Sequence, residues 1–227
     1  SGFAKGNIST VPNRVDKNIN PSGGFTFNIR YDYDKNDFID GLNLSNSGTL
    51  LEEFADNSTH RVSADFSMHA AIPFTDRWTL SFGGMAGWMS NTKADSFFNY
   101  FGGGLPGIKG YPFYSIEGNR LLTGDLILRI PIFKEKHWVL GPAIIQNSVV
   151  GFVFQTGDAW TTSLSDFSLK NSVGIQWRIN GYSYYNFPTA IALEIHRGLN
   201  EFEWTGRGTN VTYGKQNRFY FTLLFGF

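Results

Sequence analysis

Between His60 and Phe74 the chain alternates almost without interruption. Val62, Ala64, Phe66, Met68, Ala70, Ile72 and Phe74 are apolar, and Arg61, Ser63, Asp65, Ser67, His69, Ala71 and Pro73 stand between them. A period of two puts the two sets on opposite faces of a β-strand, one apolar and one carrying charge. The run is longer than the roughly five or six residues of an average globular strand. It suits the roughly 9–11 tilted residues with which a strand crosses a bilayer.

The same period returns along the chain. Phe25, Phe27, Ile29, Tyr31 and Tyr33 oppose Thr26, Asn28, Arg30 and Asp32. Trp78, Leu80, Phe82, Gly84, Ala86 and Trp88 form a further apolar set, with aromatic residues at both ends. Leu122, Leu126, Leu128, Ile130 and Ile132 lie opposite Asp125 and Arg129. Val173, Ile175, Trp177 and Ile179 oppose Gln176, Arg178 and Asn180, and Thr189, Ile191, Leu193 and Ile195 oppose Glu194 and His196. Phe219, Phe221, Leu223, Phe225 and Phe227 make a final stripe that ends the sequence given. Residues 144–154 are apolar on both faces, so their orientation stays open. The pattern therefore predicts about eight strands.

Turn chemistry separates these strands unevenly. Asp76-Arg77, Lys134-Glu135-Lys136 and Asn180-Gly181 read as short turns, the last a pair favoured in tight hairpins. Residues 35–58, 91–118 and 197–216 read as long polar loops. Short turns on one side and long loops on the other is the layout of an outer-membrane barrel, with the long loops facing away from the cell. A soluble antiparallel sandwich also alternates. Against it stand the strand lengths, the charged residues in mid-strand and the aromatic strand ends. The expected fold is all-β: an antiparallel transmembrane β-barrel over 22–227, preceded by an irregular segment over 1–21.

Composition narrows this further. Aromatic residues are 17% of the 227, with 26 glycines, a bias towards strands and tight turns rather than helices. Formal net charge is zero, which gives no electrostatic case for a nucleic-acid partner. There is no cysteine, hence no disulfide and no thiolate metal site. No run of about 18 apolar residues could form a transmembrane helix, which leaves a closed barrel as the structure that could span a bilayer. The start, Ser1-Gly2-Phe3-Ala4-Lys5, has no apolar core of a signal peptide. The expectation is a chain that has lost its signal or that begins inside a longer one.

Residues 100–113 read Tyr-Phe-Gly-Gly-Gly-Leu-Pro-Gly-Ile-Lys-Gly-Tyr-Pro-Phe, followed by Glu117-Gly118-Asn119-Arg120. Gly102, Gly104 and Gly107 satisfy a literal G-x-G-x-x-G, but a dinucleotide site needs a helix next, and Ile-Lys-Gly-Tyr-Pro cannot open one. The segment resembles instead a loop of the bacterial surface antigens and outer-membrane assembly factors of BamA and TamA type. In that family Val/Ile-Arg-Gly-Phe/Tyr follows glycines and precedes Gly-Asn and a strand. Ile108, Lys109, Gly110 and Tyr111 stand at the motif positions. Five strands follow the loop in the family, as here, and the last ends on an aromatic residue that serves as an assembly signal. The resemblance implies a barrel of sixteen strands, of which this chain would be the C-terminal half. It also implies the bacterial outer membrane as location.

Two positions depart from the family pattern. Lys109 stands where the family has arginine, and it cannot offer that residue's planar fork. The partner motif Phe-x-Asp-x-Gly appears as Phe154-Gln155-Thr156-Gly157 with its acid replaced by Gln155. The expectation is that residues 102–113 fold back into the barrel, Lys109 meeting Gln155, Asp125 or Asp158, and Tyr111 and Phe113 packing on the wall.

Other constellations carry less. Glu194 and His196 share an inward face, as do Arg61, Asp65 and His69, and both sets read as polar wall positions rather than acid–base or metal sites. Serines are plentiful, but no Ser/His arrangement stands out in the sequence. No enzyme, cofactor or metal is therefore expected. Three roles remain open at this point: assembly or translocation of outer-membrane proteins, a membrane anchor for a soluble propeller or hydrolase domain outside this sequence, and a passive pore. The expected partners are outer-membrane lipid, client outer-membrane proteins, and the barrel-assembly machinery through Phe219, Phe221, Leu223, Phe225 and Phe227.

Overall fold

The computed structural model describes residues 2–11, 23–44, 50–75, 77–92, 96–133, 136–161, 163–184, 187–206 and 209–225. In chain order the strands are β1 (Gly2–Ser9), β2 (Gly23–Leu44), β3 (Leu50–Ala71), β4 (Thr79–Met89), β5 (Tyr100–Phe101), β6 (Glu117–Gly118) and β7 (Arg120–Phe133). They continue with β8 (Trp138–Leu140), β9 (Ala143–Trp160), β10 (Lys170–Ser183), β11 (Phe187–Gly198), β12 (Phe202–Gly206), β13 (Thr209–Tyr213) and β14 (Asn217–Phe225).

One sheet dominates, in the order β1-β2-β3-β4-β7-β9-β10-β11-β14, with β8 added to β9. Every ladder in it is antiparallel, and along this path each strand pairs with the next long strand in sequence. Two two-stranded pieces, β5-β6 and β12-β13, lie off this path. Among the described residues no ladder joins β14 to β1, so the sheet is open, with an edge at each end.

The two faces are inverted relative to a water-soluble domain. Phe82, Phe152, Ile175, Leu193 and Phe221 are between 44% and 66% exposed. Ser81, Gln176, Glu194 and His196, on the other face, are at most 6% exposed. This alternation also orients residues 144–154: Phe152 and Phe154 are exposed, and Val149 and Val153 are buried on the polar face. The small apolar clusters, Met89-Tyr100-Leu121 and Ile108-Tyr111-Ile116, are built largely from the segment between β4 and β7.

Several expectations change. Residues 1–21 were expected to be irregular, but Gly2–Ser9 is a strand in register with β2, from Gly2↔Tyr33 to Ser9↔Thr26. Its glycines and lone Phe3 and Ile8 hide the alternation, while the open edge of β2 supplies the backbone partners it needs. The path therefore holds nine strands rather than about eight. Within the expected loop over 35–58, residues 35–44 and 50–58 are strand: the β2-β3 ladder continues to Leu44↔Leu50, with an irregularity at Ile39/Gly41, and residues 45–49 lie outside the described residues. Residues 197–216 contain the β12-β13 hairpin. Asn180-Gly181 is not the hairpin turn but lies inside β10, where the register against β9 shifts. A Cβ on Gly181 would sit 2.0 Å from the Ile144 carbonyl oxygen, so glycine serves a close approach at a bulge, not a turn. Asp76, Lys134, Glu135 and Phe227 lie outside the described residues.

Candidate functional site: a loop fastened to the polar face

The chain leaves β4, forms β5 and then doubles back on itself before β6. Gly102 N–H donates to the Ile116 carbonyl at 2.8 Å and Ile108 N–H to the Gly102 carbonyl at 2.7 Å. Gly104 N–H donates to the Tyr111 carbonyl at 2.9 Å. Such tight folding leaves no space for side chains at two of the glycines. A Cβ on Gly103 would stand 2.0 Å from the Pro112 oxygen, and one on Gly107 2.1 Å from the Gly102 oxygen. Gly104 also needs its freedom, since its φ is +70°.

This compact loop rests on the polar face of β9, β10, β11 and β14. Gln155 grips its backbone on both sides: Lys109 N–H donates to Oε1 at 2.9 Å, and Nε2 donates to the Gly107 carbonyl at 2.8 Å. Tyr220 donates its hydroxyl to the Lys109 carbonyl at 2.7 Å. Gly110 passes so close to the wall that a Cβ there would meet Gly198 N at 2.6 Å and Ser172 Oγ at 2.7 Å. Tyr111 is fully buried, and its hydroxyl sits among the Asn171 carbonyl at 3.0 Å, the Asn200 carbonyl at 3.1 Å and the Asn200 N–H at 3.0 Å. A hydroxyl has one hydrogen, so it donates to one carbonyl at a time while accepting from Asn200. Burial raises the Tyr111 hydroxyl above the usual phenol range, with the backbone N–H partners of Asn200 and Leu199 opposing it. Burial likewise raises the Glu117 carboxyl, opposed by a hydrogen bond from Trp204.

The Lys109 ammonium reaches Glu194 Oε2 at 2.5 Å, with side chains 19% and 4% exposed. The same oxygen accepts from His196 Nε2 at 2.8 Å, and Gln176 Nε2 donates to Oε1 at 2.6 Å. A carboxylate cannot donate, so the His196 proton must sit on Nε2. Its Nδ1 is buried and has no hydrogen-bond partner among the described residues.

Among the sequence-predicted residues, Ile108, Lys109, Gly110 and Tyr111 lie together at the loop's contact with the wall, and Gln155 meets Lys109 through the backbone N–H rather than the ammonium. The ammonium does not bond to Asp125 or Asp158. Asp158 is occupied by its own hairpin, accepting from Lys170 Nζ at 2.5 Å and from Ser168 N–H at 2.7 Å. The Asp125 carboxylate lies over Gly83, where a Cβ would be 2.5 Å from Oδ1. Phe113 does not pack on the wall with Tyr111. It is 40% exposed and its ring lies 5.0 Å from Phe101 and 4.6 Å from Tyr114. Phe219, Phe221, Leu223 and Phe225 form an exposed stripe on β14.

Three functional contacts escaped the sequence reading. Glu194 was singled out with His196 but not as the lysine's acid, and Tyr220 and Asn200 were not singled out. Glu194 lies directly across from Gln176, and Gln155 lies four residues along the sheet across from Ser172. Only the sheet register shows that a lysine tethered at Gln155 can extend to Glu194. A Ser/His contact is also present: His69 Nδ1 lies 2.8 Å from Ser81 Oγ, which also accepts from Arg129 Nη1 at 2.6 Å. Among the described residues no carboxylate bonds to His69, and Ser81 is 3% exposed. Among the described residues the contact therefore lacks the orienting acid that an activated nucleophile requires.

Comparison with known proteins finds no matching family model, no matching curated protein and no matching solved structure.

Proposed function

We propose that this sheet is part of the wall of a transmembrane β-barrel in a bacterial outer membrane, and that the barrel acts in assembly or translocation of outer-membrane proteins. The inverted faces support the membrane part. Exposed apolar side chains run along β4, β7, β9, β10, β11 and β14 with no second large sheet over them among the described residues, and a contiguous apolar surface of that kind calls for a non-aqueous partner. Polar groups buried on the opposite face suit a barrel interior. The open edges at β1 and β14 fit an arc of a larger barrel, since unsatisfied strand edges are not tolerated within hydrocarbon.

The observation that carries the assembly reading is the fastened loop. Within Ile108-Lys109-Gly110-Tyr111, the stretch that resembles the surface-antigen and assembly-factor motif, Lys109 is held by Gln155, Glu194 and Tyr220, and the Tyr111 hydroxyl by Asn171 and Asn200. In this reading the loop is a strut that braces β9, β10, β11 and β14 against one another from the inside. The test is depletion of the protein in cells, followed by quantitation of outer-membrane proteins in the membrane fraction. An assembly role predicts a drop in client levels, rescued by wild type and poorly by Lys109→Ala. Unchanged levels of every outer-membrane protein would refute the assembly role and leave the anchor and pore readings.

A further inference from the structure

On the apolar face, β7, β9, β10, β11 and β14 enclose a groove of about 550 Å³. That volume lies within the ~300–1,000 Å³ range of small-ligand sites. The register shows how it is built. One row across the sheet runs Leu126, Phe154, Val173, Arg197 and Asn217, each paired with the next. The row two residues further along runs Leu128, Phe152, Ile175 and Ile195. Gly174 lies between the rows and contributes only backbone to the floor, because its missing side chain leaves room for His196 on the other face.

The groove is therefore apolar along its length and polar at one end. Arg197 is exposed on the same face as Ile195, in the last residues of β11, and makes no ion pair among the described residues. Asn217, directly across from it, is exposed beside it and offers an amide donor. A guanidinium facing outward at the end of a hydrocarbon-facing strand stands at headgroup depth, where a fixed cation attracts anionic lipid. Arginine and an amide together also match the geometry of phosphate oxygens better than a point charge does.

We propose that this groove binds one anionic phospholipid, with an acyl chain lying along Phe152, Val173, Ile175 and Ile195 and the headgroup phosphate on Arg197 and Asn217. The proposal rests on the membrane reading above and adds to it a specific site, distinct from general wetting of the outer face by lipid.

The protein is reconstituted in phosphatidylcholine nanodiscs carrying a minor fraction of phosphatidylglycerol, released gently, and its retained lipids are identified by native mass spectrometry. Wild type should retain one phosphatidylglycerol in preference to phosphatidylcholine. Arg197→Ala should lower that retention about fivefold, the effect of one cation at a membrane surface. Ile175→Trp, which fills the groove and leaves Arg197 in place, should lower it too. Arg197→Gln replaces the alanine variant if far-UV circular dichroism shows the latter misfolded. Equal retention of both lipids, or retention unaffected by the groove variants, overturns the proposal. Displacement of the lipid by inorganic phosphate alone also overturns it, in favour of a free-anion site. Failure of the wild type to enter nanodiscs would strike the membrane reading itself, which separates the two.

Discussion

Lys109 and Glu194 are partners, yet removing them should have unequal consequences. The Glu194 carboxylate accepts from three donors, the Lys109 ammonium, His196 Nε2 and Gln176 Nε2. In Glu194→Ala all three lose their acceptor, and the Lys109 ammonium, on a side chain only 19% exposed, loses its counter-charge. Breaking a buried ion pair by removing one member costs about 3–5 kcal/mol. In Lys109→Ala the carboxylate keeps His196 and Gln176, while Gln155 and Tyr220 still hold the loop backbone. That loss is closer to one hydrogen bond to a charged group, about 1.5–3 kcal/mol. The double variant should cost less than the sum, because Lys109 no longer strands a charge once both are gone. The assay is urea unfolding of the purified protein in detergent micelles, read by tryptophan fluorescence, with limited proteolysis of the loop as a second readout. A Lys109→Ala cost equal to or above that of Glu194→Ala, or strict additivity in the double variant, would refute the network as described.

Other consequences follow from the same geometry. Gln155→Ala removes both grips on the loop backbone, so the Gly107–Tyr111 segment should become protease-sensitive, with a stability loss of about 1–3 kcal/mol; an unchanged digestion pattern would contradict the clamp. Gly110→Ala puts a methyl against Gly198 N and Ser172 and should cost about 1–3 kcal/mol by overpacking, measured by the same urea titration; a neutral effect would mean the loop does not seat so closely. Phe66→Arg should cost about 2–4 kcal/mol for folding into lipid vesicles and Ser67→Arg much less, since only Phe66 is on the apolar face; equal costs would contradict the face assignment. Deleting Phe227 should lower membrane levels in cells more than it lowers folding yield in detergent, and unchanged cellular levels would count against an assembly signal at this end.

The fold was legible where alternation was strong. β3, β4, β10, β11 and β14 coincide with the runs through Phe66, Phe82, Ile175, Leu193 and Phe221. It was not legible at β1, because Gly2, Ala4 and Gly6 leave too little contrast between faces and the strand depends on the edge of β2. The Gly, Asn and Ser content of residues 35–58 predicts a loop, whereas the backbone pairing of 35–44 with 50–58 continues the hairpin and overrides that bias. Asn180-Gly181 shows the limit of turn chemistry: the pair fits a turn and a bulge equally well until strand register is known. At the candidate site Lys109 meets Gln155 through its backbone N–H rather than its ammonium, and the ammonium's acid is Glu194 rather than Asp125 or Asp158. Asp125 and Asp158 are nearer in sequence to the loop and to Gln155, but one lies over Gly83 and the other closes its own hairpin. Glu194 is 85 residues from Lys109, and only the order β9-β10-β11 brings it within reach.

In the proposed reading the exposed apolar face lies in a membrane and the polar face lines an interior. The chain contains no cysteine, so single cysteines can be introduced one at a time from Ile191 to His196 without background. Intact membranes containing each variant are treated with a water-soluble maleimide and, separately, with a lipid-soluble one. Ile191, Leu193 and Ile195 should react with the lipid-soluble reagent and resist the water-soluble one, and the positions between them should resist the lipid-soluble reagent. Ready labelling of Leu193 by the water-soluble reagent, or recovery of the protein as a soluble monomer without detergent, would contradict the account.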